Sequence, residues 1–290
     1  MGSDVRSRGS GDYVRFIILS GARTGSNMLA SSLNSSPEII CFRELFNFTA
    51  KRFIDFNVDG YDRFSADDRD LRNQDYRRFL RERIFCPHSE DIQAVGFKMP
   101  YDHFWGYEDL LPWLADDEQL RVVHLERRNI LRTFVSFRIA RSTQHWVSDI
   151  RPRSSQKAAL HRILSELRRP VRTARRLLRP KEPAVRGSRP TLVLSPEECR
   201  FFFRKVEWDA NYYGNLFARH PTHSICYEDI VEQRDATHAS LQQFLNVEPR
   251  PLAELTRHQN PQPLAELIEN YDELRAAFRE TQHRWMFEEE

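Results

Sequence analysis

The order of elements in this chain predicts an α/β fold, a single domain with a central, mainly parallel β-sheet flanked by helices. Two observations carry the prediction. Short apolar, β-branched runs alternate with longer stretches of helical periodicity, the pattern that sets parallel strands side by side with crossover helices on their faces. The first run also leads through a glycine-bearing turn straight into a helical stretch, and ligands of such sheets bind at the carboxyl ends of the strands. No repeat at solenoid or propeller spacing competes with this reading.

Residues 1–12 carry Gly, Ser, Asp and Arg without periodicity and read as a disordered leader. Val14–Ser20 is a buried strand, short, β-branched and bounded by a glycine-containing loop. After the loop 21–26, residues 27–33 have helical spacing, with Met28, Leu29 and Leu33 on one side. Further strands are predicted at 39–42, 94–98, 121–125 and 223–227, and helices at 71–85, 107–114, 130–141, 196–219 and 236–244. Ser195, Pro196 and Glu198 supply an N-cap, a proline at the first helical position and an early acid, a strong helix start. Between Arg151 and Arg189 arginines crowd together against only Glu166 and Glu182, while Leu160, Ile163, Leu164, Leu167 and Val171 recur near helical spacing. This predicts a basic helical insertion at about 147–190. It is either a solvated lid on the sheet or a surface that meets a membrane, an anionic substrate or nucleic acid.

Composition removes several function classes. The 290 residues are 40% hydrophobic and 30% charged, the make-up of a globular protein with room for a sizeable core. The longest apolar runs, Phe16–Leu19 and Thr191–Leu194, have strand length and cannot span a bilayer. The start of the chain lacks an apolar signal core, and Arg6 breaks a myristoylation signal, so the expected location is cytoplasmic. Cys41, Cys86, Cys199 and Cys226 lie far apart with no CxxC pair, which argues against a zinc site and a disulfide scaffold. A net charge of +2 speaks against general nucleic-acid affinity. The basic residues are nonetheless almost all arginine, which suits bidentate recognition of phosphate or sulfate or reflects a GC-rich coding genome.

Two motifs point to chemistry. The first is the joint from Ser20 to Asn27, where backbone N–H groups and a helix N-terminus aim at one point and suit a phosphate. Gly21 and Gly25 permit the tight turn, Arg23 adds a positive charge, and Thr24 and Ser26 add hydroxyl donors. The joint is P-loop-like without being a Walker A loop, because the spacing fails and the lysine is missing. In the second motif Arg128 closes a strand and Ser136 lies two helical turns on, within reach of the same sheet edge. Two anion sites at one edge describe a nucleotide with two separate phosphates.

These motifs resemble those of the sulfotransferases that use 3′-phosphoadenosine 5′-phosphosulfate (PAPS). Arg23-Thr-Gly-Ser-Asn27 looks like their 5′-phosphosulfate loop, Arg128 with Ser136 like their 3′-phosphate motif, and Cys226–Ile230 like the Tyr-Glu-Asp-Leu stretch after a late strand. Within that superfamily the likeness is to bacterial carbohydrate sulfotransferases of the trehalose and Nod-factor type, through 138–146 and 260–274. The resemblance implies a P-loop-like sulfotransferase domain over 13–290 that moves the sulfuryl group of PAPS, without a metal, to a hydroxyl of a carbohydrate or glycolipid. It implies donor binding by Arg23, Thr24, Gly25, Ser26, Asn27, Arg128, Ser136 and Tyr227, with Arg23 stabilising the leaving group. For the base, cytosolic animal sulfotransferases place a histidine two residues after a strand lysine, but here Lys98 is followed by Pro100. The carbohydrate and heparan-type branches use a glutamate just after the second strand, which makes Glu44 the expected general base, unless it merely pairs with Arg43 or a surface arginine. His103 is the reserve base, and Lys98 either touches the transferring sulfuryl group or simply ends its strand.

The acceptor pocket is expected from 49–90 and 144–189, where Phe53, Phe56, Tyr61, Phe64 and Trp146 would suit a sugar. Expected partners are a small-molecule, glycan or glycolipid acceptor, a second copy of the chain as a homodimer, and a membrane surface at the 151–189 segment, with no nucleic acid. Two other classes remain. A P-loop-like nucleotide kinase should show a P-loop lysine and an acidic metal ligand at a strand end. A membrane- or RNA-binding module on an inactive sulfotransferase fold would carry its function in the basic helix. The arginine bias and the resemblance point to a bacterium.

Overall fold

Five strands, β1 Val14–Ser20, β2 Ile39–Glu44, β3 Ala94–Pro100, β4 Arg121–Glu126 and β5 Thr222–Cys226, form one sheet in the order β2-β3-β1-β4-β5. Every neighbouring pair is parallel, so all five carboxyl ends lie along one edge. The computed structural model describes residues 11–47, 66–104, 107, 109–143, 191–253 and 259–288. Most of the expected leader, the basic insertion expected at 147–190, and Phe53, Phe56, Tyr61, Phe64 and Trp146 lie outside the described residues.

The central strand shows why its sequence is continuously apolar rather than alternating. Ile17 and Leu19 pack on one face with Phe42, Val95, Phe97, Met99 and Val122, while Phe16 and Ile18 pack on the other with Leu29, Leu33, Val123 and Leu125. A strand covered on both faces needs apolar side chains at every position. Gly96 of β3 stands beside Phe16 of β1, where a Cβ would lie 2.3 Å from the Phe16 carbonyl oxygen.

The helices are α1 Ser26–Leu33, α2 Ala66–Gln74, α3 Tyr76–Phe79, α4 Leu110–Ala115, α5 Ile130–Thr143, α6 Pro196–Leu216, α7 Tyr227–Glu232, α8 Arg234–Phe244, α9 Leu264–Leu267 and α10 Tyr271–Phe278. The cap expected before α6 is present as a reciprocal capping box, Glu198 N–H donating to Ser195 Oγ at 3.1 Å and Ser195 N–H to Glu198 Oε2 at 3.3 Å. A third apolar cluster joins Leu131, Phe134 and Val135 of α5 to Phe203 of α6 and to Leu274 and Phe278 of α10.

Three expectations change. The helix expected over 71–85 starts earlier, at Ala66, and breaks at Asp75, whose side chain accepts from Arg78 N–H and caps α3 before a π turn at Leu80–Ile84. Tyr227, expected to end the last strand, instead opens α7. The helix expected at 107–114 contracts to Leu110–Ala115.

Candidate active site

The loop between β1 and α1 folds as a cradle. Arg23 and Gly25 both take left-handed backbone, at φ 64° and 90°, and Thr24 Oγ1 donates to the Gly21 carbonyl at 2.9 Å to hold the turn. Gly25 is required twice, by its φ and because a Cβ there would lie 2.5 Å from the Tyr227 ring. No side chain caps α1 and no acidic residue sits in its first turn, so its leading amides face the loop uncompensated. Ser20 Oγ is buried beneath the loop with no hydrogen-bond partner among the described residues. A cradle with an orphaned hydroxyl and an uncapped helix start fits a phosphate group.

The ends of β2 and β3 supply a carboxylate and an ammonium. The β2–β3 register shifts between Phe42 and Glu44, so that Glu44 rather than Arg43 stands beside Lys98. Lys98 is 1% exposed and donates to Glu44 Oε1 at 3.0 Å and to Asn27 Oδ1 at 2.5 Å, which ties it to the first turn of α1. The other Glu44 oxygen accepts from Asn47 Nδ2 at 2.8 Å and lies 3.8 Å from His103 Nε2. Burial pushes the Glu44 carboxyl up, but Lys98 first, then His103 and the hydrogen bonds from Asn47 and Lys98, bring it down to about 2. His103 sits in the 3-10 turn Tyr101–Phe104 and is buried rather than solvated, and burial lowers its pKa against the opposing pull of Glu44. That turn is anchored by Tyr101, whose hydroxyl meets His124 Nε2 at 2.6 Å and whose ring stacks on Tyr213 at 4.7 Å.

The ends of β4 and β5 carry a different population. Ser136 on α5 accepts from Arg23 Nε at 3.0 Å and from Asn260 Nδ2 at 3.4 Å. The Arg23 guanidinium, which also donates to Gln259 Oε1, is therefore turned toward α5, the other predicted anion motif. Burial, and then Arg127, lowers the Arg23 pKa. Arg128 is 46% exposed and ion-paired with Asp229 of α7. Glu228 accepts the backbone N–H of Arg128 at 3.0 Å and of Asn129 at 3.3 Å, and Asn129 caps α5 by accepting from Arg132 N–H at 2.9 Å.

The structure thus gathers the expected residues into two groups along one sheet edge. Glu44, Lys98, His103 and Asn27 stand at β2 and β3; Arg23, Arg128, Ser136 and Tyr227 stand at β4, α5 and α7; Thr24, Gly25 and Ser26 form the loop between them. Sequence reasoning passed over Arg127, which lies over the Tyr227 ring at 4.5 Å, and Asn47. The adjacent arginines after β4 were the available signal for the first; Asn47 had none. Among the described residues, no group of three His, Cys, Asp or Glu side chains is placed to hold a metal ion, and no helix is long and apolar enough to cross a membrane.

No family model matches the chain. It is 25% identical over 276 residues to nodulation protein H of Rhizobium meliloti strain 1021, covering 94% of each chain. To nodulation protein H of Rhizobium tropici it is 24% identical over 265 residues, covering 91% of this chain and 88% of that one. Among solved structures, a sulfotransferase from Alicyclobacillus acidocaldarius aligns over 94% of both chains with a TM-score of 0.47 and 14% identity. A sulfotransferase domain from the curacin biosynthetic pathway aligns over 82% of this chain and 76% of that one, with a TM-score of 0.39 and 13% identity. The loop, the Arg128 and Ser136 pair and Cys226–Ile230 resemble motifs of PAPS-dependent sulfotransferases, 138–146 and 260–274 resemble the trehalose and Nod-factor type, and the two nodulation proteins align with nearly the whole chain. The chain is similar in sequence to nodulation protein H over nearly its whole length.

Proposed function

We propose that the chain is a PAPS-dependent O-sulfotransferase that acts on a hydroxyl of a carbohydrate or glycolipid acceptor. The observation that supports this most is the position of Lys98, whose ammonium touches Glu44 on one side and Asn27, in the first turn behind the phosphate loop, on the other. A base, a cation and an anion cradle then meet at one point, as an in-line transfer requires. The acceptor class rests on the resemblance to the bacterial carbohydrate branch and on Pro100 standing where a histidine base of the animal branch would be.

The donor supplies a sulfuryl group whose leaving group is a phosphate. Glu44 takes the proton of the acceptor hydroxyl as the new oxygen–sulfur bond forms and the bond to the bridging phosphate oxygen breaks. A carboxyl held at about 2 is ionised and ready at neutral pH but is a weak base. Lys98 removes this difficulty by moving its charge from Glu44 toward the departing oxygen, so the carboxylate gains basicity as the proton reaches it. His103, 3.8 Å from the Glu44 oxygen that accepts from Asn47, leaves a gap that a hydroxyl can bridge and so orients the acceptor.

Calorimetric titration with 3′-phosphoadenosine 5′-phosphate, beside ATP and 5′-AMP and without magnesium, tests the donor. Tight binding that requires the 3′-phosphate is expected, and equal or better binding of ATP would overturn the proposal. Transfer of labelled sulfuryl groups to a panel of glycans, neutral and phosphorylated, then identifies the acceptor.

A further inference from the structure

Helix α6 carries two large aromatic side chains on its outer face. Trp208 and Tyr212, one helical turn apart, are 59% and 46% exposed, and their rings stack at 4.9 Å with an interplanar angle of 10°. A single exposed apolar residue is ordinary on a protein surface, but two that are stacked on each other have already lost rotamer freedom and present a fixed face. An unbroken run of ring contacts joins that face to the candidate active site. Tyr212 meets Tyr213 edge-on at 5.1 Å, and Tyr213 stacks on Tyr101 at 4.7 Å and donates its hydroxyl to the Tyr101 carbonyl at 3.0 Å. Tyr101 opens the turn that holds His103 3.8 Å from Glu44, and Asp102 of the same turn is 68% exposed. Burial first, and then Asp209, Tyr212 and Asp102, push the Tyr213 phenol up, so the carboxylates of α6 and of the turn stand near one ring. Beside the aromatic pair, Lys205 and Asp209 form an ion pair at i, i+4 spacing, which sets a donor and an acceptor next to the stacked rings.

We infer that Trp208 and Tyr212 form an outer acceptor subsite, a stacking platform for a neutral sugar ring next to the one whose hydroxyl reacts at Glu44. The inference rests on the proposed carbohydrate acceptor and adds to it a place and a charge class. Helix α6 lies outside the segments 49–90 and 144–189 expected to form the acceptor pocket. A pyranose has an apolar C–H face, which an aromatic ring covers, and an edge of hydroxyls, which a neighbouring carboxylate and ammonium take up in charge-assisted hydrogen bonds. Asp102 and Asp209 set the sign, because they repel an acidic sugar and accept from a neutral one. The same acids, with the part-exposed Glu207, oppose an anionic bilayer as the occupant of this face.

The test follows the indole N–H signal of Trp208 by NMR, assigned by its loss in Trp208→Phe, while the full chain is titrated with cellotetraose, maltotetraose and chitotetraose. Tetragalacturonate is the acidic control. At least one neutral tetrasaccharide is expected to shift this signal, and calorimetry should show its affinity falling about tenfold or more in Trp208→Ala, the scale of a truncated aromatic anchor. Trp208→Phe keeps a ring and should lose about threefold or less, and Tyr212→Ala, which takes away the support of the indole, should fall between. Both positions are exposed, so the variants should melt close to wild type, and Tyr212→Ala carries the test if Trp208→Ala does not fold. Affinity within about twofold of wild type in a folded Trp208→Ala overturns the inference, as does a Trp208 signal that none of the three neutral sugars moves. Tetragalacturonate binding as tightly as the neutral sugars overturns it too, and so does a signal that responds to protein concentration or to anionic phospholipid vesicles instead of sugar. Titration of the same protein with 3′-phosphoadenosine 5′-phosphate separates the two readings. Bisphosphate binding without sugar binding removes this inference alone, whereas sugar binding at Trp208 without bisphosphate binding removes the donor reading and leaves the platform.

Discussion

The two ends of the candidate site handle charge in opposite ways. At β2 and β3 the carboxylate of Glu44 and the ammonium of Lys98 neutralise each other, and Asn27 and Asn47 take further bonds. At β4, α5 and α7 two arginines are crowded together, Glu228 accepts two backbone amides and lies 3.9 Å from Arg127, and Asp229 pairs with the outward Arg128. A carboxylate set against an ammonium is preorganised for proton transfer, whereas a cluster rich in guanidiniums is suited to anions. Substitutions at the first end should therefore change rate with donor affinity kept, and those at the second should change affinity.

The strongest way to break this contrast is Glu44→Gln. Transfer should fall by about 100-fold or more, the scale of a lost general base, while affinity for 3′-phosphoadenosine 5′-phosphate stays within about threefold of wild type. Initial rates with labelled donor and calorimetry on the same protein check both halves. The variant also strands the buried Lys98, so it should unfold more readily than Lys98→Met, which removes the ammonium and leaves Glu44 25% exposed to water.

An acid titration of stability comes next. The Glu44 carboxyl lies at about 2 in the folded chain against an ordinary 4.5, so the unfolded chain takes up its proton first as pH falls. The contribution, of order 3 kcal/mol, is complete above pH 4.5 and is lost progressively down to about 2. Urea midpoints of wild type and Glu44→Gln should converge over that window, and parallel curves would show that the pair does not carry this shift.

Gly25→Ala should cost about 1–3 kcal/mol, since φ is +90° and the new methyl meets Tyr227. Adding Tyr227→Ala relieves the contact and not the backbone strain, so the double variant should recover only part of the melting temperature. The smallest effect belongs to Arg128→Ala, whose exposed ion pair with Asp229 should change stability by less than about 1 kcal/mol in thermal melts. A larger loss would show that Arg128 belongs with the buried cluster after all.

Much of the framework was legible along the chain. Val14–Ser20, the turn to α1, the Ser195 cap and the eight-residue step from Arg128 to Ser136 are short-range features, in which neighbours in sequence settle the backbone through periodicity, capping and turn chemistry. The same local signals drew attention to Arg23, whereas Glu44, Lys98 and His103 were singled out by the resemblance to sulfotransferases. Their partners were not legible. The sequence leaves open whether Glu44 pairs with Arg43 or with a residue far away, and a one-residue irregularity in β2 decides for Lys98. It likewise makes Arg127 and Arg128 equivalent neighbours, and only the packing of α7 against the end of β4 sends one onto Tyr227 and the other to Asp229. Which residue types reach the sheet edge follows from local pattern. Which of them touch is settled by register and burial among elements tens of residues apart, because those contacts exist only once the distant strands and helices have packed together.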